Sequence, residues 1–270
     1  MDRLSTPLLL MFASLGTAAA AETVPKPEWQ RYFDGQGVQG TFVLLQPAED
    51  RYLVYEEPRS KRGYLPASTF KIPNALIGLE VGSIADEREI FAWDGKPKMR
   101  NEWEQDQTLA TGMRYSTVWM FQEVARRTGK QRMKEWLNRL EYGNRDIRGG
   151  IDLFWLQGNL RISAREQVDF LHRLAEGRLP MSQRSQRLVR EALVVEKMRD
   201  YTLYAKTGSS SMRPGAIHWW VGWVEKKGKP VGYFAMNLTA AEGTRFEDRM
   251  AISRAILEEA GVLPSGSRPS

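Results

Sequence analysis

The sequence predicts an α/β fold of the α+β kind. A mostly antiparallel sheet comes from both chain ends and is flanked by helices, with an all-helical lobe inserted between its halves. Three observations predict it. Strand-like runs rich in β-branched and aromatic residues cluster near both ends, helical periodicity fills the middle, and 270 residues without a repeat suit one large domain with a real core. The sheet lobe is expected over 22–62 plus 198–270 and the helical lobe over 63–197. Together they make a single domain, 22–270, with the cleft between lobes as the natural place for a site.

The elements follow in order. Residues 1–21 read as an export signal: Asp2 and Arg3 precede the apolar run LSTPLLLMFASLG, and TAAAAE offers an A-x-A cleavage point after Ala20 or Ala21. That run is short for a bilayer span and no other stretch qualifies. A periplasmic chain with no membrane partner is therefore expected. TFVLLQP and RYLVYEEP form a strand pair. STFKIPNALIGLEVG is a helix whose start is confined by Pro73, because a proline deep inside would lose a hydrogen bond. STVWMFQEVARRTG follows, with Ser116 or Thr117 as N-cap and Gly129 as terminator. Next come KQRMKEWLNRL, SAREQVDFLHRLAEG with a capping box from Ser163 to Glu166, and SQRSQRLVREALVVEK. YTLYAKTG, HWWVGWVEKKGK and VGYFAMNLT are three strands, the last two joined as a hairpin through KKGK. A helix over roughly 246–260 ends at Gly261.

Composition narrows the chemistry. There is no cysteine, so thiol nucleophiles and cysteine-ligated metals drop out, and a core of this size needs no disulfide even in an oxidising compartment. Of the two histidines, His172 lies in a helical pattern and His218 opens a strand, without H-E-x-x-H spacing, so no metal is expected. The net charge of +6 is spread over RSKR, VARRTGKQRMK and VEKKGK with acids interleaved. That describes a solvated basic surface rather than a nucleic-acid face.

One cation is out of place. Within PASTFKIPNALIGLE, Lys71 is surrounded by Phe70, Ile72, Leu76 and Ile77, and Ser68 stands three positions before it. Residues three apart share a helix face, so hydroxyl and amine can touch. Ser68 would sit at a helix N-terminus, where free amides favour developing negative charge. Burial would disfavour the ammonium. The neutral amine could take the serine proton, or react with carbon dioxide to form a carbamate that is itself a base. The S-x-x-K pattern alone is expected about once by chance in a chain this long, and a snorkelling lysine after a helix start would look the same.

Other groups could converge on it. AKTGSS places Lys206, Thr207 and Gly208 at a strand end, where a glycine lets a substrate approach closely. YSTVW supplies Ser116, EYGNRD supplies Tyr142, Gly143 and Asn144, and DLFWLQGNLRIS supplies Trp155, whose N–H needs an acceptor when buried. Each is weak alone, with a cap, a turn or core packing as its ordinary use. Their order is specific: S-x-x-K on a helix, S-x-V, Y-G-N, the W-L-Q-G loop, then K-T-G on a strand.

This set resembles the class D β-lactamases, the oxacillinases of the serine penicillin-recognising superfamily, over nearly the whole mature chain. The resemblance implies a β-lactamase/transpeptidase-like fold, a catalytic domain over 22–270, and hydrolysis of penicillins of the oxacillin type. It implies Ser68 as acylated nucleophile and Lys71 as the carboxylated base, N6-carboxylysine, with Trp155 donating to the carbamate. Carbon dioxide or bicarbonate would be needed, and no other cofactor. Ser116 would relay a proton to the lactam nitrogen, and Val118 and Leu156 would shield the carbamate. Lys206, Thr207 and Gly208 would bind the substrate, and the amides of Ser68 and Ser209 would form the oxyanion hole. Arg249, twelve residues before Gly261, falls where the family commonly has a carboxylate-binding arginine. Tyr142 to Asn144 would support the cleft. Ser209 departs from the aromatic residue often found after K-T-G, which removes bulk from one wall. The expected partner is a small-molecule β-lactam, with the chain a monomer or homodimer. A penicillin-binding transpeptidase, carboxypeptidase or sensor domain is the alternative, and a basic periplasmic binding module a second one.

Overall fold

The computed structural model describes residues 21–266, so the cleavage signal expected over 1–21 lies, but for its last residue, outside the described residues. They form a seven-stranded sheet in the order β1-β3-β2-β7-β6-β5-β4. Its strands are β1 Glu22–Pro25, β2 Gln39–Gln46, β3 Arg51–Tyr55, β4 Val194–Lys197, β5 Thr202–Ser209, β6 Ile217–Lys226 and β7 Lys229–Thr239. Every pairing is antiparallel except β1 with β3. The two chain ends meet where β2 pairs with β7, from Gln39 opposite Thr239 to Leu45 opposite Tyr233.

The sheet is buried on both faces, so its central strands read as continuous apolar runs rather than alternating ones. Alternation still sorts the side chains. Val43, Leu45, Trp219 and Val221 enter the core shared with the helical lobe, while Phe42, Leu44, Trp220 and Val224 pack on the opposite face with Ile252 and Ile256. At the β6–β7 turn, Lys227 and Gly228 both have left-handed φ, 51° and 73°, as a tight two-residue hairpin requires.

The helices are α1 Gln30–Asp34, α2 Glu57–Ser60, α3 Lys71–Glu80, α4 Leu109–Arg114, α5 Val118–Thr128, α6 Lys130–Leu140, α7 Ala164–Ala175, α8 Gln183–Ala192 and α9 Asp248–Glu259. The expected capping box is present at α7, where Ser163 and Glu166 bond reciprocally with each other's backbone N–H. None of the described helices is long and apolar enough to cross a membrane.

One boundary differs from the sequence expectation. SQRSQRLVREALVVEK is not one helix: α8 stops at Ala192, and Val194–Lys197 forms β4 on β5. The β-branched pair Val194–Val195 loses little in a strand, and β5 offers ladder positions to fill, with the Ala205 N–H donating to Leu193 O at 2.9 Å. The sheet portion therefore begins at 194 rather than 198. The short elements β1, α1, α2 and α4 escaped the sequence reading because four to six residues carry too little periodicity.

Candidate active site

Ser68 lies in a 3₁₀ turn, Ala67–Phe70, that runs directly into α3. The turn is clamped from several directions. Thr69 Oγ1 donates to Pro66 O at 2.8 Å, Gln167 Nε2 of α7 donates to Thr69 Oγ1 at 2.8 Å, and Trp219 Nε1 of β6 donates to Leu65 O at 3.0 Å. Ala67, one residue before the serine, has a φ of 49° and is fully buried. Its N–H donates to Trp155 O at 3.0 Å. A non-glycine residue held in that region is strained by roughly 1–3 kcal/mol and needs such over-determined surroundings.

Lys71, the first residue of α3, has no exposed surface, and its Nζ lies 2.7 Å from Ser68 Oγ. The Phe121 ring centroid of α5 is 5.6 Å from Nζ. No carboxylate pairs with it among the described residues, and burial alone pushes its amine down to about 7. Near neutral pH a large share of the side chain is therefore an uncharged nucleophilic amine.

Trp155 is fully buried, stacked on Phe70 with centroids 5.1 Å apart and edge-on to Phe154 at 4.9 Å. Its Nε1–H has no acceptor among the described residues, an exception for a buried donor. The loop that carries it is tied down by Asn144. That side chain donates to Asn159 O at 2.9 Å and accepts from the backbone N–H of Arg161 at 2.9 Å and of Asp146 at 3.2 Å. Gly143, with φ 51°, admits no side chain, since a Cβ would stand 2.1 Å from Arg161 O. Tyr142 is buried edge-on to Phe70. The Y-G-N triplet thus supports the loop, as expected.

Lys206 of β5 is almost wholly buried, and its Nζ donates to Ser116 Oγ at 2.9 Å and to Thr207 O at 3.1 Å. Burial first, then the nearby charges of Lys71, Arg249 and Arg100, hold its ammonium well below the usual lysine range. Ser116 precedes α5 with φ 56°, so Thr117 rather than Ser116 takes the N-cap position. Gly208 is placed so that a Cβ would lie 2.9 Å from Pro66 O and 3.2 Å from Thr69 N, which is how β5 approaches the Ser68 turn. Thr207 and Ser209 alternate to the other side of the strand, and Ser209 Oγ donates to Ser211 O at 2.7 Å. Val118 begins α5 and Leu156 follows Trp155, both half-buried.

Arg249 is not a surface arginine. It is 8% exposed, its guanidinium lies 5.1 Å from the Phe246 ring centroid, and Nη1 donates to Gly208 O at 3.4 Å. Burial pushes it down to about 10. It reaches the K-T-G strand from α9. Ser68, Lys71, Trp155, Ser116, Lys206 and Arg249 therefore converge from separate parts of the chain. The sequence reading missed the clamps: Gln167 on Thr69, and a relay in which Trp119 Nε1 donates to Trp103 O and Trp103 Nε1 to Tyr115 O, each at 2.9 Å. Nothing in residue type or spacing announces them. His172 caps no site and lies 3.1 Å from Glu176, four residues on in α7. No cluster of three or more potential metal-ligating side chains occurs among the described residues.

Comparison with known proteins gives a consistent result. Residues 40–258 match the family described as penicillin binding protein transpeptidase domain. The chain is 42% identical to β-lactamase OXA-5 of Pseudomonas aeruginosa, over 98% of this chain and 100% of the relative. It is 40% identical to β-lactamase OXA-48 of Klebsiella pneumoniae, over 92% of this chain and 93% of the relative. Among solved structures, the class D β-lactamase YbXI from Nostoc superposes with a TM-score of 0.83 at 34% identity, covering 87% of this chain and 99% of that one.

Proposed function

This chain belongs to the class D β-lactamases, and on that premise we propose that it hydrolyses penicillins, the oxacillin type among them, through an acyl-enzyme on Ser68. The observation that carries the reading is the Ser68 hydroxyl 2.7 Å from a lysine amine that is wholly buried and poised near 7. A serine hydroxyl needs an adjacent base to attack an amide, and an uncharged Lys71 side chain stands where that base must be.

The residues fit a carbamate on Lys71. The amine is neutral enough to add carbon dioxide, and the orphaned Trp155 Nε1–H is a buried donor awaiting an acceptor. Carboxylated, the lysine would supply an acidic-oxygen base of moderate strength, with Val118 and Leu156 shielding it. The rest falls to the chain's own groups. Ser68 Oγ bonds to the carbonyl carbon as the ring C–N bond breaks, and the backbone amides of Ser68 and Ser209 hold the oxyanion. Lys206 donates to Ser116 Oγ, which leaves the Ser116 proton free for the departing lactam nitrogen. Thr207 and Arg249 take the substrate carboxylate, with Lys206 and Gly208 lining its approach. A water directed from the Lys71 side then releases the acyl group. The export signal read over residues 1–21 puts this chemistry in the periplasm.

The deciding experiment is hydrolysis of benzylpenicillin by the purified mature chain, with and without added bicarbonate. Multiple turnovers that rise with bicarbonate are expected. Because the neutral amine is the form that reacts with carbon dioxide, activity in carbonate-poor buffer should fall as pH drops through about 7, and bicarbonate should move that limb to lower pH. A single burst followed by a stable acyl-enzyme would instead identify a penicillin-binding or sensor protein. Absence of any labelling at Ser68 by a fluorescent penicillin would indicate a binding module.

Trp155→Ala should weaken carbamate retention, read as loss of the carbon-13 carbamate signal of Lys71 at ambient bicarbonate and its recovery at high bicarbonate. A lysine that stays carboxylated in that variant would remove Trp155 from the role.

A further inference from the structure

The cations of the Ser68 site are short of acidic partners. None of Lys71, Lys206 and Arg249 forms an ion pair among the described residues, and the charges that act on Lys206 are all positive: Lys71, Arg249 and Arg100. The first two already have work in the reaction. Arg100 has none, and it stands on the same rim.

Arg100 opens the segment that leads to Ser116. Its carbonyl accepts the Trp103 N–H at 3.0 Å, closing the 3₁₀ turn Asn101–Trp103, and its guanidinium lies 6.0 Å from the Trp103 ring centroid. Trp103 is tied down at both ends. Its Nε1 donates to Tyr115 O and its carbonyl accepts from Trp119 Nε1, each at 2.9 Å. Tyr115 directly precedes Ser116, whose Oγ is 2.9 Å from Lys206 Nζ. These bonds hold the turn against the Lys206 end of the K-T-G strand. The Arg100 charge accordingly reaches Lys206, where it acts after burial, Lys71 and Arg249 to lower the amine.

The Arg100 side chain is about half exposed, and its one ionic partner among the described residues is Glu102, 3.6 Å from Nε. Such an exposed pair is worth little, and it leaves the outer Nη groups open to a ligand. Nearby acids are engaged elsewhere: Glu104 accepts the Lys98 N–H, and Asp94 pairs with the Lys98 ammonium.

With the lactam carbonyl at the Ser68 and Ser209 amides, the ring nitrogen at Ser116 and the carboxylate on Thr207 and Arg249, the substituent beside the carboxylate extends away from the Ser209 end of β5. That direction leads toward Lys206, Ser116 and the Trp103 turn. The acyl chain lies across the carbonyl from the ring nitrogen, on the other side. A guanidinium with open Nη groups matches a carboxylate or sulfonate in both charge and geometry. We propose that Arg100 binds a second anionic group of the β-lactam, a carboxylate or sulfonate on the substituent beside the ring carboxylate, and so selects dianionic substrates of that kind. The proposal rests on the reading of the Ser68 site as a β-lactamase.

The test uses two cephems with the same mandelyl acyl chain and the same tetrazolylthiomethyl substituent beside the carboxylate-bearing carbon, one N-methylated and the other N-sulfomethylated. Dissociation constants are measured by calorimetry on Ser68→Ala and on Ser68→Ala/Arg100→Ala, and kcat and KM on the wild type and Arg100→Ala. The sulfonate should be preferred where Arg100 is present, and Arg100→Ala should cut that preference about three- to tenfold, the worth of a charge-assisted contact at a half-exposed position. The preference should shrink as salt rises, and Glu102→Gln, which removes the competing carboxylate, should enlarge it. For α-carboxybenzylpenicillin against benzylpenicillin, where the added charge sits on the acyl chain, Arg100→Ala should leave the preference in place. A sulfonate preference that survives Arg100→Ala would overturn the subsite. So would an equal loss for both dianionic compounds, which would make Arg100 a general attractor of anions. Absence of benzylpenicillin turnover by the wild type would strike the β-lactamase reading itself, and the subsite with it.

Discussion

Replacing Lys71 should abolish turnover and, when methionine is the replacement, stabilise the fold. The loss of activity follows because Lys71 is the one basic side chain hydrogen-bonded to Ser68 among the described residues: a positioned general base contributes roughly 10²–10⁴-fold, and Lys71→Ala should lose at least that. Near-normal turnover would reject Lys71 as the base. The gain in stability follows from linkage. In the unfolded chain the lysine holds its proton to about 10.4, whereas in the fold burial lowers it to about 7. Between those values the unfolded state carries the extra proton, so stability rises with pH across that window, and at pH 7 and below the full cost of burial is present. At 1.36 kcal/mol per pKa unit, less the lost bond to Ser68, Lys71→Met should be more stable by about 2–4 kcal/mol at pH 7. Melts in carbonate-free buffer from pH 6 to 9.5 should show wild type gaining on the variant as pH rises. Parallel curves would mean that Lys71 is not desolvated as the structure has it.

Ser116→Gly should separate the same two quantities at a second position. Ser116 holds φ at 56°, where a side chain costs about 1–2 kcal/mol and glycine costs almost nothing. The fold tolerates that strain because it sets the hydroxyl 2.9 Å from Lys206 Nζ. Strain of this kind is retained where function needs it. The variant should melt at or above the wild-type temperature, yet the rate of acylation by benzylpenicillin should fall about 10²–10³-fold as proton delivery to the lactam nitrogen is lost. Stopped-flow acylation rates beside calorimetric melting temperatures check both. An unchanged acylation rate would remove Ser116 from the proton path.

Both predictions concern residues that the sequence singled out, and the reason is instructive. Ser68 and Lys71 are three apart, a distance local helical geometry converts into contact. The Ser163 capping box, the KKGK hairpin and the glycine stops are local in the same sense, and they stand where the pattern put them. The helix-to-strand change at Leu193 was not legible, because Val194 and Val195 complete an apolar pattern that either period accepts, and only β5 beside them decides. Arg249 enters the expected site only through the family resemblance, since nothing near it in the chain says that α9 lays it against the K-T-G strand.

The sequence by itself determined the fold class, most of the helices and strands, the serine–lysine pair and the ordered set of motifs around it. These rest on residue type and short spacing, which the chain carries wherever it folds. Tertiary structure alone decided the quantities that make the pair reactive. The complete burial that brings Lys71 to about 7, the unpartnered Trp155 N–H, the strained turns at Ala67 and Ser116, and the clamp of Gln167 on Thr69 join residues tens of positions apart. Desolvation and long-range hydrogen bonds depend on which surfaces meet, and that exists only once the sheet has closed from both ends of the chain around the helical lobe.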